Sequence, residues 1–200
     1  SINMVHLLCM CIQFYFVTMQ VVKLDVQQNE LSSIPGCLLE LPNLTDLNIS
    51  HNKLTTIPHL DRWSSSLDSL DISHNKITTI QGVPSAPAIC TLNLSNNNLN
   101  VIPQCICNFV TLQFLDVSNN VGICALPGWM YKLKELNKLN LKGLKNLAGV
   151  PRRIQRNPER IIKYLKRRSR STKRCYRMKL MLVGKANRGK TTLIARMQGK

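Results

Sequence analysis

One spacing constrains this 200-residue chain more than any other feature. The pattern L-x-x-L-x-L-x-x-N-x-L recurs about every 23 residues through its first three quarters. One copy is Val21, Leu24, Val26, Asn29 and Leu31; the next is Leu44, Leu47, Ile49, Asn52 and Leu54. Then come Leu67, Leu70, Ile72, Asn75 and Ile77, followed by Ile89, Leu92, Leu94, Asn97 and Leu99. A fifth copy, Leu112, Leu115, Val117 and Asn120, continues irregularly through Val121-Gly122-Ile123, and a sixth, Leu136, Leu139 and Leu141, has lost its Asn. Most copies run into an apolar-Pro pair: Ile34-Pro35, Ile57-Pro58, Ile102-Pro103, Leu126-Pro127 and Val150-Pro151. A unit this short cannot bury its own apolar face and must stack on its neighbours.

The period and pattern predict an α/β leucine-rich-repeat solenoid over 21–151. Alternation within each short strand places the Leu positions inward. The column Asn29, Asn52, Asn75, Asn97 and Asn120 is expected to hydrogen-bond backbone groups in the turn after each strand. On the concave strand face the alternation predicts outward columns. These are Asp25, Asn48, Asp71, Asn93, Asp116 and Asn140; then Ser50, Ser73, Ser95 and Ser118; then His51 and His74, which are placed to stack on adjacent strands. The plain reading of these columns is a solvated polar ladder. The sharper reading is a shallow groove for a protein partner, with Phe114 as its aromatic anchor. Two imidazoles are too few for a structural zinc site.

A second signal lies near the other end. Gly184 to Thr191 reads Gly184-Lys185-Ala186-Asn187-Arg188-Gly189-Lys190-Thr191, a full match to G-x-x-x-x-G-K-[ST]. An apolar stretch, Met178 to Val183, precedes it, and a helix-like start, Thr191-Thr192-Leu193-Ile194, follows. Strand, loop and helix in that order make a phosphate site of residues 184–192. The two glycines let backbone N–H groups approach phosphate oxygens. The helix start adds partial positive charge. Lys190 would reach the β- and γ-phosphates, and the Thr191 hydroxyl would ligate Mg²⁺. Asn187 stands where many such loops carry Gly and tolerates positive φ. Arg188 either aids phosphate binding or faces solvent. A phosphate loop reads phosphate, so GTP and ATP are not distinguished by these residues.

The formal charge of +17 is concentrated between the two signals. About a dozen Lys or Arg residues lie between Arg152 and Lys179, with Glu159 as the acid among them. Asn157 as cap, Pro158 at the first helical position, and Ile161, Ile162 and Leu165 as an apolar face predict a basic linker helix over 152–175. Tyr164 and Tyr176 are too sparse for base stacking, which disfavours nucleic acid. A peripheral contact with anionic membrane stays open. The eight cysteines form no metal or disulfide framework and read as free thiols. Residues 1–22 are apolar and carry no Asp, Glu, Lys or Arg. A signal peptide or membrane span is one reading; a degenerate repeat over 1–20 suffices.

Repeats, then a basic helix, then a phosphate loop is the order of ROCO proteins. The chain resembles that family through Ile161-Ile162-Lys163-Tyr164-Leu165-Lys166, then Arg177 to Gly184, then Gly189-Lys190-Thr191, and through the irregular repeat Asp116 to Gly122. It is most similar to the leucine-rich-repeat serine/threonine kinases. The resemblance implies that 176–200 opens a Ras-like Roc domain, truncated here, that binds GTP or GDP with Mg²⁺. It also implies a parent that dimerises through a following COR domain and often carries a kinase; the free thiols and the nucleotide loop point to the cytoplasm. The kinase motifs, the D-x-x-G strand and the N-K-x-D motif do not occur in these 200 residues. The alternative is a non-catalytic repeat scaffold for protein–protein interaction.

Overall fold

The computed structural model describes residues 21–171, apart from 35, 58–62, 81–87 and 145–146; for 36, 37, 170 and 171 it describes the backbone alone. Among these residues six three-residue strands form one parallel sheet: β1 (Lys23–Asp25), β2 (Asp46–Asn48), β4 (Ser69–Asp71), β6 (Thr91–Asn93), β7 (Phe114–Asp116) and β8 (Lys138–Asn140). The register runs Lys23, Asp46, Ser69, Thr91, Phe114, Lys138, so each repeat contributes one rung. Two shorter strands, β3 (Thr56–Ile57) and β5 (Thr79–Ile80), pair in parallel elsewhere in the array. Helix α1 (Gly36–Leu39) and the 3₁₀ turns Gln104–Asn108 and Gly128–Lys132 return the chain between rungs.

The core consists of columns that cross the repeats. Leu47, Leu70, Leu92 and Leu115 fill the middle strand position, all essentially inaccessible. Ile49, Ile72, Leu94 and Val117 follow two residues later, and Leu44, Leu67, Ile89 and Leu112 sit three residues earlier, equally buried. Each such side chain is stabilised by about 1.5–3 kcal/mol on leaving water. No repeat can collect this alone, because each residue's neighbours in the column belong to the next rung. At the first rung Leu24 and Val26 are only partly buried.

The Asn column holds the rungs together. Asn75 Oδ1 accepts the Leu54 N–H at 3.0 Å, and its Nδ2 donates to Ile49 O, Ile72 O and Ser73 O at 3.1 Å. Asn52, Asn97 and Asn120 repeat this arrangement. Each amide thus satisfies buried backbone groups of its own repeat and of the one before. Among the described residues, Asn29 donates to its own turn, to Val26 O and Gln27 O.

One predicted column is corrected. Ser50, Ser73, Ser95 and Ser118 are buried, at 4–6% exposure, and do not line the outer sheet face. Alternation fails there because the strands end first. Asn48, Asp71, Asn93 and Asp116 each accept the N–H of the residue two ahead, at 2.8–3.1 Å. That turn tucks the serine inward beside the buried Asn. The next residue then adopts positive φ: Gln28, His51, His74, Asn96 and Asn119 lie between 52° and 57°, and Gly143 takes the place at 80°.

The last described helix, α2 (Pro158–Ser171), follows the 3₁₀ turn Arg152–Ile154. Asn157 caps it, its Oδ1 accepting the Arg160 N–H at 2.9 Å. Ile161 and Leu165 are buried in the same apolar cluster as the repeats, with Ile162 and Tyr164 partly so. Arg168 Nη1 donates to Gly149 O at 3.4 Å. The helix therefore closes the apolar cross-section that the last repeat would otherwise expose to water.

Candidate protein-binding face

The outer face of the six-stranded sheet presents two side-chain columns. The first is Lys23, Asp46, Ser69, Thr91, Phe114 and Lys138, residues the sequence pattern did not single out apart from Phe114. The second is Asp25, Asn48, Asp71, Asn93, Asp116 and Asn140, the column expected from alternation. In it acid and amide alternate rung by rung. Strands lie about 4.8 Å apart, so each carboxylate is about two strands from the next. Adjacent like charges, which would be destabilising, are avoided.

The amides also link the column. Asn93 Nδ2 donates to Asp71 Oδ2 at 2.9 Å, and Asn140 Nδ2 donates to Asp116 Oδ2 at 2.7 Å. Because Asp71 Oδ1 and Asp116 Oδ1 already accept backbone N–H groups, each carboxylate is held by both oxygens. The ladder is fixed before any partner arrives, which lowers the ordering cost of binding. At the first rungs Lys23 pairs with Asp46 at 3.5 Å across a hollow of about 370 Å³ bounded by Asp25, Asn48, Ser69 and Asp71. Farther along, Phe114 is half-buried between Thr91 and Lys138 in register and supplies the aromatic surface of this face.

A third line runs along the edge where φ is positive. The rings of His51 and His74 stack with centroids 4.0 Å apart and an interplanar angle of 10°, as their spacing predicted. His74 Nε2 lies 3.1 Å from Asn96 Nδ2, and Asn119 Nδ2 donates to Asn96 Oδ1 at 2.9 Å. The extension through Asn96 and Asn119 was missed in the sequence. The signal that marks it is the residue immediately before each ladder Asn, filled by Gln, His or Asn.

The chemistry of the face is that of recognition: fixed acceptors, amides and one ring. Cys90 Sγ sits at its margin, and hydrogen bonding to Asp68, then burial and that carboxylate's charge, hold the thiol above its usual range. A protonated thiol is a poor nucleophile. Among the described residues no three His, Cys, Asp or Glu side chains gather to hold a metal ion, and Cys90, Cys105, Cys107 and Cys124 are free. The phosphate-loop residues, Gly184 to Thr192, lie outside the described residues, as do 1–20.

Comparison with known proteins agrees with this architecture. The leucine rich repeat family profile matches residues 19–77 and 65–121. Leucine-rich repeat serine/threonine-protein kinase 1 of Mus musculus is 31% identical over 94 residues, 46% of this chain and 5% of its own length. The probable serine/threonine-protein kinase pats1 of Dictyostelium discoideum is 34% identical over 84 residues, 42% of this chain and 3% of its own. The chain thus spans only a small part of either kinase. Among solved structures, YopM from Yersinia enterocolitica WA-314 superimposes with a TM-score of 0.50 at 28% identity, covering 68% of this chain and 28% of that one. A leucine-rich repeat protein from Bacteroides eggerthii DSM 20697 superimposes at 0.55 and 23% identity, covering 60% and 22%, a likeness of fold alone. With a family match across more than half its length, on a solenoid of six parallel rungs tied by an Asn ladder, the chain belongs to the leucine rich repeat family.

Proposed function

We propose that the array binds a protein partner across its outer strand face, as the recognition part of a GTP-binding ROCO protein with serine/threonine kinase activity. The observation that carries the binding role is the pre-fixed Asp/Asn ladder beside Phe114. Carboxylates held at both oxygens suit Arg, Lys or amide donors on an extended partner segment, and the ring suits an apolar side chain. A photo-crosslinker at Thr91, beside Phe114 in register, is expected to trap one saturable partner that Phe114→Ala releases and Lys76→Ala does not. Equal trapping by both variants would refute the reading.

The nucleotide half rests on the sequence motif, on the order of parts, and on the similarity to two kinases. In this reading Gly184, Lys185, Ala186, Asn187, Arg188 and Gly189 wrap the phosphates of GTP or GDP. Lys190 neutralises their charge, and Thr191, with Thr192 beside it, holds Mg²⁺, which supplies further charge neutralisation. The parent dimerises and is cytoplasmic. Lys190→Ala is expected to abolish binding of a fluorescent GTP analogue to the full-length protein while partner capture by the array persists. Unchanged nucleotide binding would leave the non-catalytic scaffold as the function.

A further inference from the structure

The array ends in a groove built differently from the strand face. One wall is the 3₁₀ turn with Arg153 and Ile154; the other is the outer ridge of α2, with Arg160, Lys163 and Arg167. The helical residues are spaced i, i+3 and i+7, so they stand in one row on one face. Seven residues of helix span about 10 Å. Pro151 and Tyr164 complete the apolar floor, and the space enclosed is about 300 Å³. Four cationic side chains thus line a small hollow that no carboxylate lines.

These cations are not engaged in ion pairs that would explain their grouping. Among the described residues, Arg153, Arg160 and Arg167 have no carboxylate within salt-bridge range. Lys163 reaches Glu159 at 3.8 Å, but both side chains are 75% exposed, where such a pair contributes little. Assembling four like charges costs self-repulsion, and an anion removes it. Three of the four are guanidinium forks, whose planar donors match phosphate oxygens two at a time.

We infer that this groove binds a membrane lipid headgroup bearing more than one phosphate. The row of charges and the size of the hollow fit a compact polyphosphorylated ring. Arg152, Arg156 and Lys166 are also exposed and add to the positive charge of this stretch, which favours anionic lipid. Tyr164 has the amphipathic ring favoured at a membrane interface. An acidic peptide would find few backbone partners, because α2 satisfies its own N–H and C=O groups internally. Single-stranded nucleic acid would find one aromatic ring and no stacking series. The groove shares no lining residue with the partner-binding face.

The test is sedimentation of the chain with phosphatidylcholine vesicles. One set carries phosphatidylinositol bisphosphate, and the other carries phosphatidylserine at equal surface charge. Tighter binding to the first set is expected, with displacement by soluble inositol trisphosphate. Removing two groove charges, Arg160→Gln with Arg167→Gln, is expected to weaken binding about 25-fold, near fivefold per charge. A matched double change on the repeats, Lys76→Gln with Lys134→Gln, is expected to weaken it less than about threefold, because those side chains act only at long range. All four side chains are exposed, so both variants keep the fold. Equal binding to the two vesicle sets, or equal losses in the two double variants, would overturn the inference. So would binding of free inositol trisphosphate without vesicle binding, or a preference for polyglutamate or single-stranded RNA.

Discussion

Replacing Asn75 tests whether the Asn ladder, and not the apolar columns alone, fixes the stacking. Asn75 is 8% exposed, and its Oδ1 is the hydrogen-bond acceptor found for the buried Leu54 N–H. The three carbonyls served by its Nδ2 each keep another donor: Asn52 Nδ2 for Ile49 O, Asn97 Nδ2 for Ile72 O, and the His51 N–H for Ser73 O. Asn75→Ala therefore strands one N–H, at about 1–3 kcal/mol, and loses bonds to carbonyls that remain partly satisfied, for a total of about 2–4 kcal/mol. Asn29→Ala is the control. Among the described residues it removes two bonds within its own turn and strands nothing across a repeat, so about 0.5–1 kcal/mol is expected. Asn75→Asp keeps the acceptor for Leu54 but turns a carboxylate oxygen toward the three carbonyls. At neutral pH it should cost at least as much as Ala. Its folded-state pKa is raised, so the folded state holds the proton more tightly. The deficit should therefore narrow as pH falls through that raised value. Urea unfolding gives the differences, and amide exchange at Leu54 locates them at the junction of two repeats. If Asn75→Ala costs no more than Asn29→Ala, the ladder does not join the repeats and the reasoning fails.

Three further outcomes follow from the packing. Leu165→Ala, which opens a cavity under α2, should cost about 2–5 kcal/mol, whereas Lys166→Ala on the exposed side should change urea stability by less than about 0.5 kcal/mol; equal effects would mean α2 is not docked on the array. Gly143→Ala should destabilise by about 1–3 kcal/mol, because φ is +80° and the new Cβ would overlap Asn119 Oδ1. Gly128→Ala, with open space around it, should be close to neutral in the same melt. In timed alkylation at neutral pH read by peptide mapping, exposed Cys124 should label faster than Cys105, whose thiol burial pushes up; the reverse order would contradict the placement of Cys105.

Periodicity was enough for the architecture. A Leu every 23 residues has no partner within its own repeat, so the Leu columns dictate stacking, and the strand register observed is the register of the pattern. The Asn column was legible for the same reason: a polar residue recurring at a buried register must satisfy backbone groups, and it does. The stacking of His51 on His74 also followed from one repeat length placing like residues side by side. The serines were misplaced because alternation holds only while the strand lasts, and an Asx-type turn ended each strand two residues before them.

What the sequence alone determined is whatever repeats: the inward columns, the Asn ladder, the outward Asp/Asn line and the basic stretch from Arg152 onward. What the tertiary structure decided is whatever depends on contact between repeats or across the end of the array. The Asn93–Asp71 and Asn140–Asp116 bonds, the docking of Ile161 and Leu165, and the lining of one groove by Arg153, Arg160 and Arg167 are of this kind. Periodicity sets which residues become neighbours, but not which side chains bond or which apolar surface covers the end of the array. Only the stacking of rungs, and the need to cover the last one, brings them together.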